Sequence, residues 1–118
     1  MTVMKSVLVI EDEAMISMML EDFLDELGYR CHGVAEDLSR ASGLIAAGGF
    51  DAAILDCNLA GHKVWPAAHE LAAANIPFIF ATGGSGDDIP AELIGRPTLT
   101  KPYTLGAVEA ALGGLFSA

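Results

Sequence analysis

Val7-Leu8-Val9-Ile10 is an unbroken apolar run, mostly β-branched, that ends abruptly on Glu11-Asp12-Glu13. A run this short, without polar alternation, predicts a strand covered on both faces that stops where the acids begin. Ile16, Leu20, Phe23, Leu24 and Leu27 then recur at three- and four-residue spacing, the stripe of an amphipathic helix, and Gly28 sits where a C-cap glycine belongs. Tyr29 to Val34 is a weaker strand, Asp37 is placed to N-cap a helix through about Ala47, and Gly48-Gly49 stops it. The theme returns at Ala52-Ala53-Ile54-Leu55, again ending on an acid, Asp56.

Pro66 suits the first turn of a helix running through Ala74, and the Asn75-Ile76-Pro77 break leads into a strand from Phe78 to Ala81. Beyond it the pattern thins. Gly83 to Asp88 is glycine-rich and acidic, so that stretch is expected to be locally unstable, and only Ala91 to Ile94 could form a helical turn before Pro97. Thr98 to Thr100 is a short strand, and Thr104 caps a last helix with Leu105, Val108, Leu112 and Leu115 on one face. Five β-α repeats, the fourth helix short or mobile, predict an α/β fold: a five-stranded parallel sheet flanked by helices on both faces.

Composition narrows the function classes. The 118 residues, 53% hydrophobic and 19% charged, suit one compact domain spanning 1–118 and exclude a disordered chain. Six basic against 16 acidic residues give a formal charge of −10, which opposes direct binding to nucleic acid or anionic lipid and favours a cation or a basic protein surface. Cys31 and Cys57 form no CxxC or Cys/His metal pattern, which suits a reducing compartment. No apolar stretch approaches the roughly 18 residues of a spanning helix, and the N-terminal run is too short for a signal peptide, so a cytoplasmic location is expected. The histidines at 32, 62 and 69 are scattered, and Gly84-Ser85-Gly86 completes neither a dinucleotide fingerprint nor a P-loop.

The chemistry gathers at predicted strand ends. In an open parallel sheet ligands bind outside the carboxyl ends of the strands, and in the order 2-1-3-4-5 the switch point lies between strands one and three. Strand one delivers Glu11 and Asp12, strand three Asp56, strand four Thr82 and strand five Lys101. Acids after one strand commonly serve only as helix caps. A second acid-ended strand facing the first calls for a hard divalent cation, Mg2+ being the ordinary one, and a hydroxyl with an ammonium suits phosphoryl oxygens.

VLVIEDE at 7–13, AAILDCN at 52–58, FATG at 80–83 and TKPY at 100–103 stand in the order of the receiver domain of two-component response regulators, which the chain resembles from Lys5 to Phe116. The resemblance implies a flavodoxin-like receiver fold with Asp56 as phosphoacceptor. It also implies Mg2+ held by Glu11, Asp12, Asp56 and the backbone carbonyl of Asn58, and a phosphoryl group contacted by Thr82 and Lys101. The implied partners are a histidine kinase or histidine phosphotransfer protein and a downstream protein. The FATG run is similar to that of a subgroup often found as single-domain regulators with atypical histidine kinases of alphaproteobacteria.

Pro102 is a cis-peptide candidate, although trans is the base expectation. Three positions depart from the family pattern. Thr98 stands where receivers usually carry a switching aromatic, Ala60 stands where a proline is common and is expected to loosen the loop through Gly61, and the segment between Thr82 and Lys101 is short and glycine-rich, so the fourth helix is expected to be stunted or mobile. With two residues after Phe116, no output domain is expected, and signalling would pass through protein contacts or a phosphorelay. The alternatives are a small Mg2+-dependent phosphatase with an aspartyl nucleophile, for which Asn58 leaves no general acid, and an adaptor that is never phosphorylated.

Overall fold

A computed structural model describes residues 4–83 and 89–117. The apolar runs form the strands of one parallel sheet: β1 (Ser6–Ile10), β2 (Arg30–Ala35), β3 (Ala52–Asp56), β6 (Phe78–Thr82) and β7 (Thr98–Thr100). A two-stranded antiparallel ladder, β4 (Asn58–Leu59) with β5 (His62–Lys63), lies between β3 and the third helix. The sheet order is β2-β1-β3-β6-β7, which is 2-1-3-4-5 when the five sheet strands are counted alone, and every pairing is parallel. The helices are α1 (Ala14–Glu26), α2 (Leu38–Ala47), α3 (Trp65–Ala73) and α4 (Leu105–Phe116).

Because strand side chains alternate, each central strand feeds two cores. Leu8, Ile10, Ala53, Leu55, Phe78 and Phe80 pack with Ala41, Ile45, Ala67 and Leu71 of α2 and α3. Val7, Val9, Ile54, Ile79 and Ala81 pack with Leu20, Leu24, Val108 and Leu112 of α1 and α4. Both faces are closed, which is why these strands read as continuous apolar runs rather than alternating ones.

The boundaries follow local chemistry. Asp37 accepts a 2.8 Å hydrogen bond from the Arg40 N–H, and Thr104 one of 3.1 Å from the Ala107 N–H, so both predicted caps form. Gly28 follows α1 at φ +85°, the left-handed conformation a helix end favours. Between β6 and β7 the described residues hold a single 3-10 turn, Ala91–Leu93, instead of an α-helix, and Leu93 from that turn is buried in the core beside α2 and α3. The expectation of a short or mobile fourth helix also falls partly on residues 84–88, which lie outside the described residues. Among the described residues no helix is long and apolar enough to cross a membrane.

Candidate functional site

Burial brings the strand-end acids together. β1 and β3 are neighbours, so their carboxyl ends deliver Glu11 and Asp56 side by side, and both are almost wholly buried; Asp12, one residue further on, is exposed. One oxygen from each of Glu11, Asp12 and Asp56 lies within 4.8 Å of the others. Lys101, just past the end of β7, reaches across β6 to this cluster: its Nζ stands 3.0 Å from Asp56 Oδ2 and 3.7 Å from Glu11 Oε1. Its backbone N–H donates to the Thr82 carbonyl at 2.8 Å, which ties the lysine to the end of β6. Thr82 itself is buried at that end. The Lys101–Pro102 peptide is cis.

The surrounding backbone holds the carboxylates in place. Glu11 Oε2 accepts from the Asp12 and Glu13 N–H groups at 3.1 and 3.2 Å, and Asp56 Oδ1 accepts from the Asn58 N–H at 3.3 Å. Asp12 Oδ2 accepts from the Ala60 N–H at 3.1 Å. That last contact corrects the expectation drawn from Ala60. Instead of a loosened loop, residues 58–63 form a hairpin whose central residues, Ala60 and Gly61, have φ of +51° and +83°. Positive φ at both positions is what a type I′ turn requires, and proline, with φ fixed near −65° and no N–H, could neither adopt it nor donate to Asp12. The hairpin was missed in the sequence because two-residue strands carry no periodicity, although the glycine at 61 preceded by a small residue was a turn signal of modest strength.

Electrostatics mark the cluster as unbalanced. Burial raises the Glu11 carboxyl from 4.5 to about 7, reinforced by its hydrogen bond to and repulsion from Asp56; the Glu13 backbone and Lys101 oppose the rise. Burial pulls the Lys101 ammonium down, but its hydrogen bond to Asp56 and the charges of Glu11 and Asp56 more than offset this, and its pKa is raised overall. One ammonium thus faces two buried acids and one exposed acid. In the ionised acid Glu11 Oε1 is buried and accepts no hydrogen bond; the hydrogen bond to Asp56 belongs to the protonated acid. Three oxygen donors of this kind fit a hard divalent cation. Cys57 is buried in the core on the α2 and α3 side, as a small apolar residue.

Thr98 is exposed in β7, paired with Phe80, and carries no ring. Tyr103, which sequence reasoning did not single out, is buried with its hydroxyl unpartnered. Burial, and after it the charges of Glu11 and Asp56, raise its pKa above the ordinary phenol range.

No protein-family model matches the chain, and no curated protein does. Solved structures do match. SdrG from Sphingomonas melonis Fr1 is 45% identical, with 98% of this chain and 99% of that one covered at a TM-score of 0.86; SdrG has also been solved in a BeF3-activated conformation, at a TM-score of 0.82. The receiver domain of the response regulator PhyR from Erythrobacter litoralis is 29% identical over 96% of this chain and 91% of its own, with a TM-score of 0.81. The receiver domain of the sensor histidine kinase PA1611 from Pseudomonas aeruginosa, solved with a magnesium ion in its active-site cleft, shares the fold at 24% identity and a TM-score of 0.85, with 98% and 100% of the two chains covered. A five-stranded parallel sheet with acids at the ends of its first and third sheet strands and a lysine after its last, together with these likenesses, makes the chain a member of the response regulator receiver domains.

Proposed function

We propose that Asp56 accepts a phosphoryl group from a phosphohistidine of a histidine kinase or histidine phosphotransfer protein, and that the chain works as a single receiver domain, signalling through protein contacts or as a relay step. The observation that carries this is the Lys101 ammonium 3.0 Å from Asp56 Oδ2, with Glu11 and Asp12 grouped beside the same carboxylate. The chemistry needs little covalent help from the protein. An Asp56 carboxylate oxygen attacks phosphorus, the phosphorus–nitrogen bond breaks, and its electron pair returns to the imidazole of the donor, which takes up a proton.

Glu11, Asp12, Asp56 and the Asn58 backbone carbonyl would hold Mg2+. When bound, that ion offsets the negative charge of carboxylates and phosphoryl oxygens brought together. The chain's own groups do the rest. The Asn58 N–H on Asp56 Oδ1 fixes the carboxylate plane, leaving Oδ2, now paired with Lys101, as the oxygen to be phosphorylated. The ammonium then turns to the phosphoryl oxygens, and the Thr82 hydroxyl donates to another. The bond from the Lys101 N–H to the Thr82 carbonyl lets the two residues respond together. The likeness to SdrG over nearly the whole of both chains supports a receiver working as a unit of this size.

Incubation with Mg2+ and a small phosphodonor should add one labile acyl phosphate, detected by intact mass and by its loss in hydroxylamine. Asp56→Asn should abolish the gain. Undiminished labelling of that variant sinks the assignment, and turnover of a phosphomonoester without an accumulating acyl phosphate would favour the phosphatase alternative.

A further inference from the structure

Among the described residues, three buried side-chain polar atoms make no hydrogen bond: Glu11 Oε1, His32 Nδ1 and Tyr103 Oη. Two of the three belong to one neighbourhood. Tyr103 is two residues from Lys101, the two line a common apolar cleft of about 300 Å3 with Ile16, Met19 and Pro102, and Glu11 and Asp56 are the charges that most oppose ionisation of its phenol. One orphan is a donor and the other an acceptor. A phenylalanine would fill the same core without burying an idle hydroxyl, so the hydroxyl is a burden in this state unless another state gives it a partner.

The contact that now serves Glu11 Oε1 is the Lys101 ammonium at 3.7 Å, too long for a hydrogen bond and shared with Asp56 at 3.0 Å. Resting on the phosphoacceptor reading of Asp56, we infer that Tyr103 is a positioning residue for Glu11: its phenolic O–H donates to Glu11 Oε1 when Lys101 turns to a phosphoryl group on Asp56. The carboxylate would then keep a fixed orientation after its cation has left, with its other lone pairs turned to the site. Tyr103 would thereby couple the loop after β7 to the end of β1, a link that Thr98 cannot make from its exposed position in β7.

The test compares wild type with Tyr103→Phe, which removes the hydroxyl and keeps the ring. Binding of beryllofluoride in the presence of Mg2+ is measured by titration. The hydrogen-bond state of Tyr103 is read from the tyrosine Fermi doublet in ultraviolet resonance Raman difference spectra between the two proteins. Without ligand, thermal stability should be unchanged or slightly higher in the variant. Beryllofluoride with Mg2+ should shift the Tyr103 doublet toward a donor, and Tyr103→Phe should weaken its binding roughly tenfold or more, the loss of one hydrogen bond to an ionised carboxylate. Wild-type binding with an unmoved doublet, or a variant that binds within twofold of wild type, overturns the inference and leaves the phosphoacceptor reading standing. Failure of wild type to bind beryllofluoride at all removes both.

Discussion

Glu11→Gln isolates the strain of crowding carboxylates at the ends of β1 and β3. Glu11 is 1% exposed, and its carboxyl is raised from 4.5 to about 7, chiefly by burial and then by Asp56. A carboxyl held above its unfolded value binds its proton more tightly in the folded state, so stability is fully present below pH 4.5 and is lost as pH rises through about 7, after which the loss is complete. The interval from 4.5 to about 7, at ~1.36 kcal/mol per pH unit, amounts to about 3 kcal/mol. Glutamine resembles the protonated acid. Its carbonyl can accept from the Asp12 and Glu13 N–H groups as Glu11 Oε2 does, its amide can donate toward Asp56, and Lys101 is left to pair with Asp56 alone.

With a chelator present, Glu11→Gln should therefore be more stable than wild type above pH 7 by up to about 3 kcal/mol, which for a domain of this size is on the order of 10 °C in Tm. Below pH 4.5 the difference should vanish. Excess Mg2+ should reverse the ranking near neutrality, because a cation bound only by the folded state stabilises wild type by mass action while the variant lacks one of its carboxylates. Urea denaturation followed by circular dichroism across this pH range, with and without Mg2+, reads every part of the argument. A variant no more stable than wild type above pH 7 in chelator, or a gain that persists undiminished below pH 4.5, would refute the reasoning that burial beside Asp56 penalises the ionised acid.

Lys101→Ala and Thr82→Ala should fold normally yet lose the phosphorylation-dependent change in amide chemical shifts; a full change in either variant would mean that residue has been misassigned. Ala60→Asn should raise stability by roughly 0.5–1 kcal/mol, since asparagine tolerates positive φ better than alanine and Asn-Gly is the favoured type I′ pair. Ala60→Pro should cost more than about 1 kcal/mol and weaken Mg2+ binding, because it removes both the turn and the N–H donated to Asp12 Oδ2; chemical denaturation and calorimetric Mg2+ titration check both. Thr104→Ala should cost about 1 kcal/mol by deleting the cap on the Ala107 N–H, with no effect on labelling of Asp56.

What could be read from the sequence was set by how local each cause is. β1, β3 and β6 were legible because burial on both faces demands unbroken apolar runs, and the acids were legible because they end those runs at the edge where a parallel sheet binds ligands. Asp37 and Thr104 announced their helices for an equally local reason, a side-chain oxygen one turn from the N–H it caps. Contacts that cross the sheet left no such trace. Nothing near Ala60 says that its N–H will meet Asp12, 48 residues away, and nothing near Tyr103 says that its hydroxyl will be buried without a partner. The β1–β2 register shifts between Val7 and Leu8, passing over His32, although the strand pattern alone gave no reason to expect it. The contact from Ala60 serves an acid rather than a core: the cores tolerate apolar residues of suitable volume, whereas each carboxylate oxygen needs one particular partner at hydrogen-bond distance. Departures from the family pattern are therefore best weighed by which oxygen they serve. Ala60, read from sequence as a loss of rigidity, supplies a donor that the commoner proline cannot, and with Thr98 exposed and without a ring, Tyr103 is the ring that shares a cleft with Lys101 and with Ile16 and Met19 of α1.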